Sequence, residues 1–271
     1  MSKRGITLYM HVHQPYRVRE YSVFDASVNH NYFTDPDVLS NRNNQKIFNK
    51  VADKSYRPMN ALLEKLLSTH PDFKVSLSIT GTFIDQAAEW APDVLESFQR
   101  LVKTGKVEIV AETYYHSLAF FYSRDEFERQ VDAHRAKIRE VFGVETNVFR
   151  NTELSYNDEL AKWADDYGFK GILAEGWDPI LDWRSPNFVY RPEGTENISL
   201  LLKNYKLSDD LAFRFSNRSW QEWPLTADKY TSWVESSIRD QPLVNLFMDY
   251  ETFGEHQWHD TGIFEFFEEF V

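Results

Sequence analysis

The chain has 271 residues, 42% of them hydrophobic and 27% charged, which suits one large domain or two small ones around a sizeable core. Its formal net charge is −12 and no run of Lys or Arg interrupts the acidic balance, so a role built on phosphate-backbone binding is excluded and no nucleic-acid partner is expected. It has no cysteine, which rules out disulfides and thiolate zinc sites.

The opening stretch MSKRGITLYMHVHQP lacks an apolar run of signal-peptide length, and no later run reaches the length of a membrane span. The expectation is a soluble, cytoplasmic protein without a membrane partner. The first strand is predicted over residues 6–12. Alternation puts Ile6, Leu8, Met10 and Val12 on one face and Thr7, Tyr9, His11 and His13 on the other. Two histidines then project together at the strand end, followed by Gln14 and the chain-stopping Pro15. This H-x-H fits a hydrogen-bonded pair, two zinc ligands, or a grip on substrate hydroxyls, and does not separate the three.

Apolar residues at Leu62, Leu63, Leu66 and Leu67 predict a helix over 60–68. Strands are expected at 73–79 and 107–110, the second opening VEIVAETYYH with Glu108, Glu112 and His116. Ser123 and Glu126 form the ends of a capping box for a helix through residue 141. A strand at 147–150 leads into FRNTELSYND, where Glu153 follows a short apolar run. A glutamate at the end of a buried strand must be paired or in use, because burying a lone carboxylate is costly. Residues 155–158 predict a capped helix through 167, strands follow at 171–174 and 199–202, and a helix at 226–238 precedes a last strand at 243–249. That strand runs into FMDYETFGEH, where Asp249 and Glu251 share one face if the backbone stays extended.

Strands alternating with helices imply parallel pairing through right-handed crossovers. About seven strands fit either a closed or nearly closed barrel or an open doubly wound sheet. No G-x-G-x-x-G or Walker motif follows a strand, which disfavours a nucleotide-binding sheet. The polar residues gather at strand C-terminal ends, where parallel α/β folds place their sites. Two facing carboxylates are what glycosidic cleavage needs, and the 16% aromatic content supplies rings on which sugars stack as well as core.

Four stretches, HVHQP (11–15), GKVEIVAETYYHSL (105–118), FRNTELSYND (149–158) and MDYETFGEHQW (248–258), occur in order and together resemble glycoside hydrolase family 57, closest to its α-amylase-like subgroup. The resemblance runs from residue 5 to 258. It implies an α/β fold, an incomplete TIM-like (β/α)7 barrel of mostly parallel strands over 1–260, with 261–271 as the start of a C-terminal helical region that is cut short and whose aromatic face is exposed. It implies a retaining enzyme acting on α-1,4-glucans such as maltooligosaccharides, without cofactor or metal. 4-α-Glucanotransferase chemistry is the neighbouring alternative. By position, Glu153 resembles the nucleophile and Asp249 the general acid/base, while His11, His13 and Glu108 resemble residues lining the subsite at the cleaved bond and Glu251 the acidic neighbour of the donor. Spacing and residue type add Arg150, as a group keeping the Glu153 region ionised, and Trp177, as a stacking ring. Gln14, His116, Lys203, Asp210, Arg214 and His256 complete the substrate-binding candidates. A zinc-dependent hydrolase using the H-x-H strand end and a non-catalytic glucan-binding protein are the competing readings. Retaining enzymes hold their two carboxyl groups about 5–5.5 Å apart, which is the separation expected for Glu153 and Asp249.

Overall fold

The structure is a computed structural model that describes residues 4–26, 31–35, 37 and 39–271. Its strands are β1 (Gly5–Val12), β2 (Val75–Ile79), β3 (Val107–Ile109), β4 (Val148–Arg150), β5 (Gly171–Ala174), β6 (Ser199–Leu202) and β7 (Leu243–Asp249). All the ladders between them are parallel, in two sheets ordered β3-β2-β1-β7 and β4-β5-β6.

Two narrow seams join these sheets into a barrel. Between β3 and β4, the Ala111 amide donates to the Val148 carbonyl at 2.8 Å and the Arg150 amide to the Ala111 carbonyl at 2.9 Å. Between β6 and β7, the Asn204 amide donates to the Asn245 carbonyl at 2.8 Å, and the buried Asn245 side chain donates through Nδ2 to the Leu202 carbonyl at 2.9 Å. Here a side-chain amide does what a ladder bond does elsewhere. Asn245→Val leaves the Leu202 carbonyl without that donor inside the protein, and urea unfolding is expected to show a loss of about 1–3 kcal/mol.

Around the barrel lie α1 (Asn44–Val51), α2 (Arg57–Thr69), α3 (Gly81–Trp90), α4 (Pro92–Lys103), α5 (Arg124–Phe142), α6 (Asp158–Asp166), α7 (Asp178–Leu181), α8 (Tyr205–Asp209), α9 (Ala227–Ser237) and α10 (Ile263–Phe270). A π-helical turn, Ala52–Tyr56, joins α1 to α2. Two local expectations are corrected. Ser123 caps α5 by accepting from the Glu126 amide at 3.3 Å, but the Glu126 carboxylate turns to Arg129 and Gln130, so only half of the box forms. The cap of α6 is Asn157, accepting from the Leu160 amide at 2.8 Å, while Ser155 is tied back to the Thr152 carbonyl at 2.7 Å. The aromatic face of α10 is buried rather than exposed: Phe266 meets Tyr230 of α9 at 5.7 Å and Phe267 meets Phe253 at 4.8 Å between ring centroids. Residues Ile263, Phe264, Phe266 and Phe267 share one apolar core with β1, β2 and α2.

Inside the barrel the predicted alternation holds. Leu8, Met10 and Val12 of β1 face outward into the helix layer. Tyr9 faces inward and meets Val110, Leu173 and Phe247 in a small apolar plug, with Tyr9 and Phe247 edge-to-face at 5.4 Å. Side chains two residues beyond that plug, on the same face of each strand, form the next layer towards the C-terminal mouth.

Candidate active site

That next layer is polar. Two residues beyond Tyr9 stands His11, beyond Val110 stands Glu112, beyond Val148 stands Arg150, and beyond Phe247 stands Asp249. Register reinforces this, since His11 is the cross-strand partner of Asp249. Glu112 is completely buried, and one of its oxygens, Oε2, collects three contacts: His11 Nε2 at 3.1 Å, Arg150 at 3.4 Å and His116 Nδ1 at 3.5 Å. Burial alone would push the Glu112 carboxyl up, but His11, His116 and Arg150 hold it well below the usual carboxylate range.

The two exposed acids hang from this buried centre. His116 Nε2 reaches Glu153 Oε1 at 2.9 Å, and its Nδ1 lies 3.3 Å from the Arg150 guanidinium. His116 therefore bridges Arg150 and Glu153 through its two ring nitrogens. Arg150 thus acts on Glu153 through His116. On the other side, His11 Nδ1 lies 3.8 Å from Asp249 Oδ1. Burial opposes ionisation of Asp249, yet His11 and Arg150 keep its pKa lowered. The Glu153 and Asp249 side chains are 76% and 64% exposed, so both are open to a ligand. Both line a cavity of about 320 Å³ with His11, His13, Gln14, Glu251 and His256, and both line an adjoining one of about 180 Å³ with Lys203, Asp209 and Phe213. Glu153 is therefore not a buried strand-end acid. β4 stops at Arg150, and the chain turns through Thr152–Leu154 to lift the carboxyl into the mouth.

The turn is strained. His116, Glu153 and Leu154 have φ of 54°, 57° and 53°, a left-handed region that non-glycine residues avoid. Such conformations cost of order 1–3 kcal/mol each and persist where packing over-determines them, most often at functional sites.

Glu251 sits behind Asp249. After β7 the chain turns through Tyr250–Thr252, so Glu251 reaches the same cavity by a turn rather than by strand alternation. Its buried carboxyl accepts from the Tyr56 hydroxyl, which in turn accepts from Gln14 Nε2 at 3.1 Å. Burial, then the neighbouring charge of Asp249, push Glu251 up to about 7. Gly254 seats this loop: with φ of 108° it brings its Cα so close to the π-helical turn that a Cβ would stand 1.9 Å from the Lys54 carbonyl oxygen. His13 is neutral, its pKa lowered to about 3 by burial and then by the charges of His11 and His116, and its Nδ1 meets Thr80 Oγ1 at 2.9 Å.

A pH signature follows. Glu251 binds its proton more tightly folded than unfolded, so its contribution to stability is fully present below about pH 4.3 and is lost as pH rises through about 7. Tyr56→Phe removes a donor that favours the carboxylate, and an inflection near pH 7 in kcat/KM is expected to move up by about one unit.

The structure brings together His11, His13, Gln14, His116, Arg150, Glu153, Lys203, Asp249, Glu251 and His256. Trp177 is 57% exposed and lines a further cavity of about 470 Å³ that also borders Glu153. Glu108 is the clear correction. It lies one alternation below the plug, at the N-terminal end of the barrel, where it accepts from Ser76 Oγ at 3.2 Å beside Ile6 and Lys74. Glu112 occupies the place expected for it. Asp210 and Arg214 pair with each other at 2.8 Å, and it is their neighbours Asp209 and Phe213 that line the cavity. Lys203 bridges Glu175 and Asp209, both at 3.3 Å. Tyr56, Glu175, Asp209 and Phe213 were not anticipated. Alternation from Val110 is the signal that would have singled out Glu112 over Glu108, whereas the π-helical turn that aims Tyr56 inward has no periodic signature.

A parallel barrel carrying two exposed, histidine-held carboxylates at its C-terminal mouth belongs to a known architecture. The 4-α-glucanotransferase of Thermococcus litoralis superposes with a TM-score of 0.71 at 20% identity, over 100% of this chain and 37% of that one. A presumptive alpha-amylase of Methanocaldococcus jannaschii is 49% identical over 263 residues, 96% of this chain and 54% of the relative. The alpha-amylase of Pyrococcus abyssi is 23% identical over 75% of this chain and 29% of its own length. The model of glycosyl hydrolase family 57 matches residues 7–271, and the chain belongs to that family. It spans about half the length of the first of these curated relatives and less than a third of the second. No helix among the described residues is long and apolar enough to cross a membrane.

Proposed function

We propose that this chain carries the catalytic barrel of a retaining glycoside hydrolase that cleaves α-1,4-glucans. One observation supports it above the rest: Glu153, in the turn after β4, and Asp249, at the end of β7, line the same two cavities and lie 2.9 Å from His116 and 3.8 Å from His11 of one Glu112-centred cluster. The relatives named as alpha-amylases and glucanotransferases point to the same substrate class.

In this reading Glu153 attacks the anomeric carbon and forms a glycosyl ester as the bond to the departing oxygen breaks. Asp249 gives its proton to that oxygen. Asp249, now the carboxylate, takes a proton from water or an acceptor hydroxyl, which displaces Glu153 and restores the starting state. His116 contacts the Glu153 carboxylate at 2.9 Å, and Asp249, whose pKa His11 and Arg150 keep lowered, is a strong acid toward the departing oxygen once protonated. Whether water or sugar accepts separates hydrolase from 4-α-glucanotransferase. The products from maltoheptaose decide: glucose and short maltooligosaccharides mean hydrolysis, a ladder above seven sugars means transfer, and no new products mean the reading is wrong.

A zinc-dependent reading has one observation behind it, since ligand atoms of His11, Glu112 and His116 lie within 4.8 Å of one another. Arg150 counts against it. Its guanidinium already lies 3.4 Å from Glu112 Oε2 and 3.3 Å from His116 Nδ1, so a dication would enter beside a fixed cation that cannot deprotonate. Prolonged EDTA treatment is expected to leave glucan cleavage unchanged. Loss of activity with recovery on adding zinc would restore the metal reading.

A further inference from the structure

Beneath the two exposed acids lies a buried titratable group that takes no part in the proposed reaction. His134 sits on α5 in the buried stripe Phe127, Val131, His134, Ile138 and Phe142 and is itself completely buried. A histidine in such a stripe is usually core with both nitrogens satisfied. The partners of His134 set it apart. Its Nδ1 lies 3.4 Å from the Glu112 backbone amide, and its Nε2 lies 2.9 Å from the Ile79 carbonyl oxygen. An amide N–H can only donate and a carbonyl can only accept, so Nδ1 is bare and the ring proton sits on Nε2. Burial lowers the His134 pKa, which favours this neutral ring.

The two groups it joins belong to one ladder. β2 and β3 run parallel, and the Val110 amide donates to the Leu77 carbonyl at 2.8 Å. Two residues further along each strand, the next rung would join the Glu112 amide to the Ile79 carbonyl. The imidazole stands in that gap and carries both bonds. β3 thereby parts from β2 where Ala111 bridges to Phe149 and opens the seam to β4. We infer that His134 is a positioning residue: it holds the Glu112 backbone one ring's width from β2, so that the carboxylate meets His11, His116 and Arg150, and through the two histidines it sets the places of Glu153 and Asp249. Its catalytic consequence rests on the glycosidase reading above, whereas its hold on Glu112 does not. Leucine at this position fills similar space but neither donates nor accepts. The rung then closes directly or stays broken in a dry interior, and Glu112 leaves its three partners in both cases.

The test compares the full chain with its His134→Leu and His134→Gln variants, since glutamine carries both an N–H donor and a carbonyl acceptor. Histidine 15N NMR titration follows His11, whose pKa is raised: burial alone would lower it, and the Glu112 charge outweighs burial. In His134→Leu the His11 midpoint is expected to fall by about one pH unit. On maltoheptaose kcat is expected to fall about tenfold or more, with KM within about threefold of the parent. His134→Gln is expected to recover most of both losses. The parent spectrum should show His134 as the Nε2–H tautomer. The Nδ1–H tautomer there overturns the inference with no substitution made, so a His134→Leu chain that does not fold leaves the test intact. An unchanged His11 midpoint in folded His134→Leu overturns it as well, whatever the activity. A parent that cleaves no glucan, with the His11 midpoint still falling in His134→Leu, overturns the glycosidase reading and leaves the positioning role standing.

Discussion

Glu153→Gln is expected to lower kcat on maltoheptaose by about 10⁴-fold or more while leaving the melting temperature close to that of the parent; removal of a covalent nucleophile has costs of this size or larger in other enzymes. The physical basis is that the amide keeps the shape and the contact to His116 but cannot displace a leaving group. The side chain is 76% exposed and touches the protein through one imidazole, so little folding energy depends on its charge. Its left-handed backbone is a property of the turn and is as available to glutamine as to glutamate. Asp249→Asn behaves differently. It removes proton donation, so its penalty is large for maltoheptaose and shrinks for a nitrophenyl maltoside, whose leaving group departs without a proton. Glu153→Gln gains no such relief. Reducing-end release from both substrates, with thermal melts of each variant, checks the pair. A Glu153→Gln protein turning over maltoheptaose at near-parent rate would remove Glu153 from the role given to it.

The contrast between Glu108 and Glu112 shows how far the residues alone carry the site. Alternation along VEIVAE places Val107 and Ile109 in the helix-layer core and Glu108, Val110 and Glu112 on the inner face, a signal that the choice of Glu108 did not use. What the sequence lacks is depth: nothing local says which of the two glutamates stands above the plug and which below, because that depends on how far β3 is slid against β2. The ladder pairs Ser76 with Glu108, which fixes Glu108 at the bottom. All seven strands were legible because each is an apolar run bounded by polar turns, and the barrel's C-terminal mouth followed from their parallel order. The groups supplied by irregular backbone were not. Tyr56 arrives on a π-helical turn, and Phe213 and Asp209 on and beside a second one, Asp210–Arg214; Glu251, expected from an extended strand, is reached by a turn instead. Guessing Asp210 and Arg214 there chose the right segment and the wrong faces, since a π turn rotates side chains away from the 3.6-residue pattern.

The second large effect belongs to a residue no ligand needs to touch. Glu112→Ala is expected to destabilise the fold by about 3–5 kcal/mol, because it leaves Arg150 and His11 charged or protonatable in a dry interior without their counter-charge. In a chain of this length that corresponds to a fall in melting temperature of roughly 10 °C. The penalty comes from the unpaired partners rather than from the attraction lost, so combining Glu112→Ala with Arg150→Met should cost clearly less than the sum of the two, by more than about 1 kcal/mol. Acid behaviour supplies an independent check. Because folding depresses the Glu112 pKa, its contribution is present above the unfolded carboxylate value of about 4.3 and is lost as pH falls through the folded value. The parent should therefore lose stability steeply below about pH 4, and Glu112→Gln should flatten that limb. Additive costs in the double variant, together with an unchanged acid limb in Glu112→Gln, would mean that the carboxylate is a bystander. The histidines that hold Glu153 and Asp249 would then have to be oriented by packing alone.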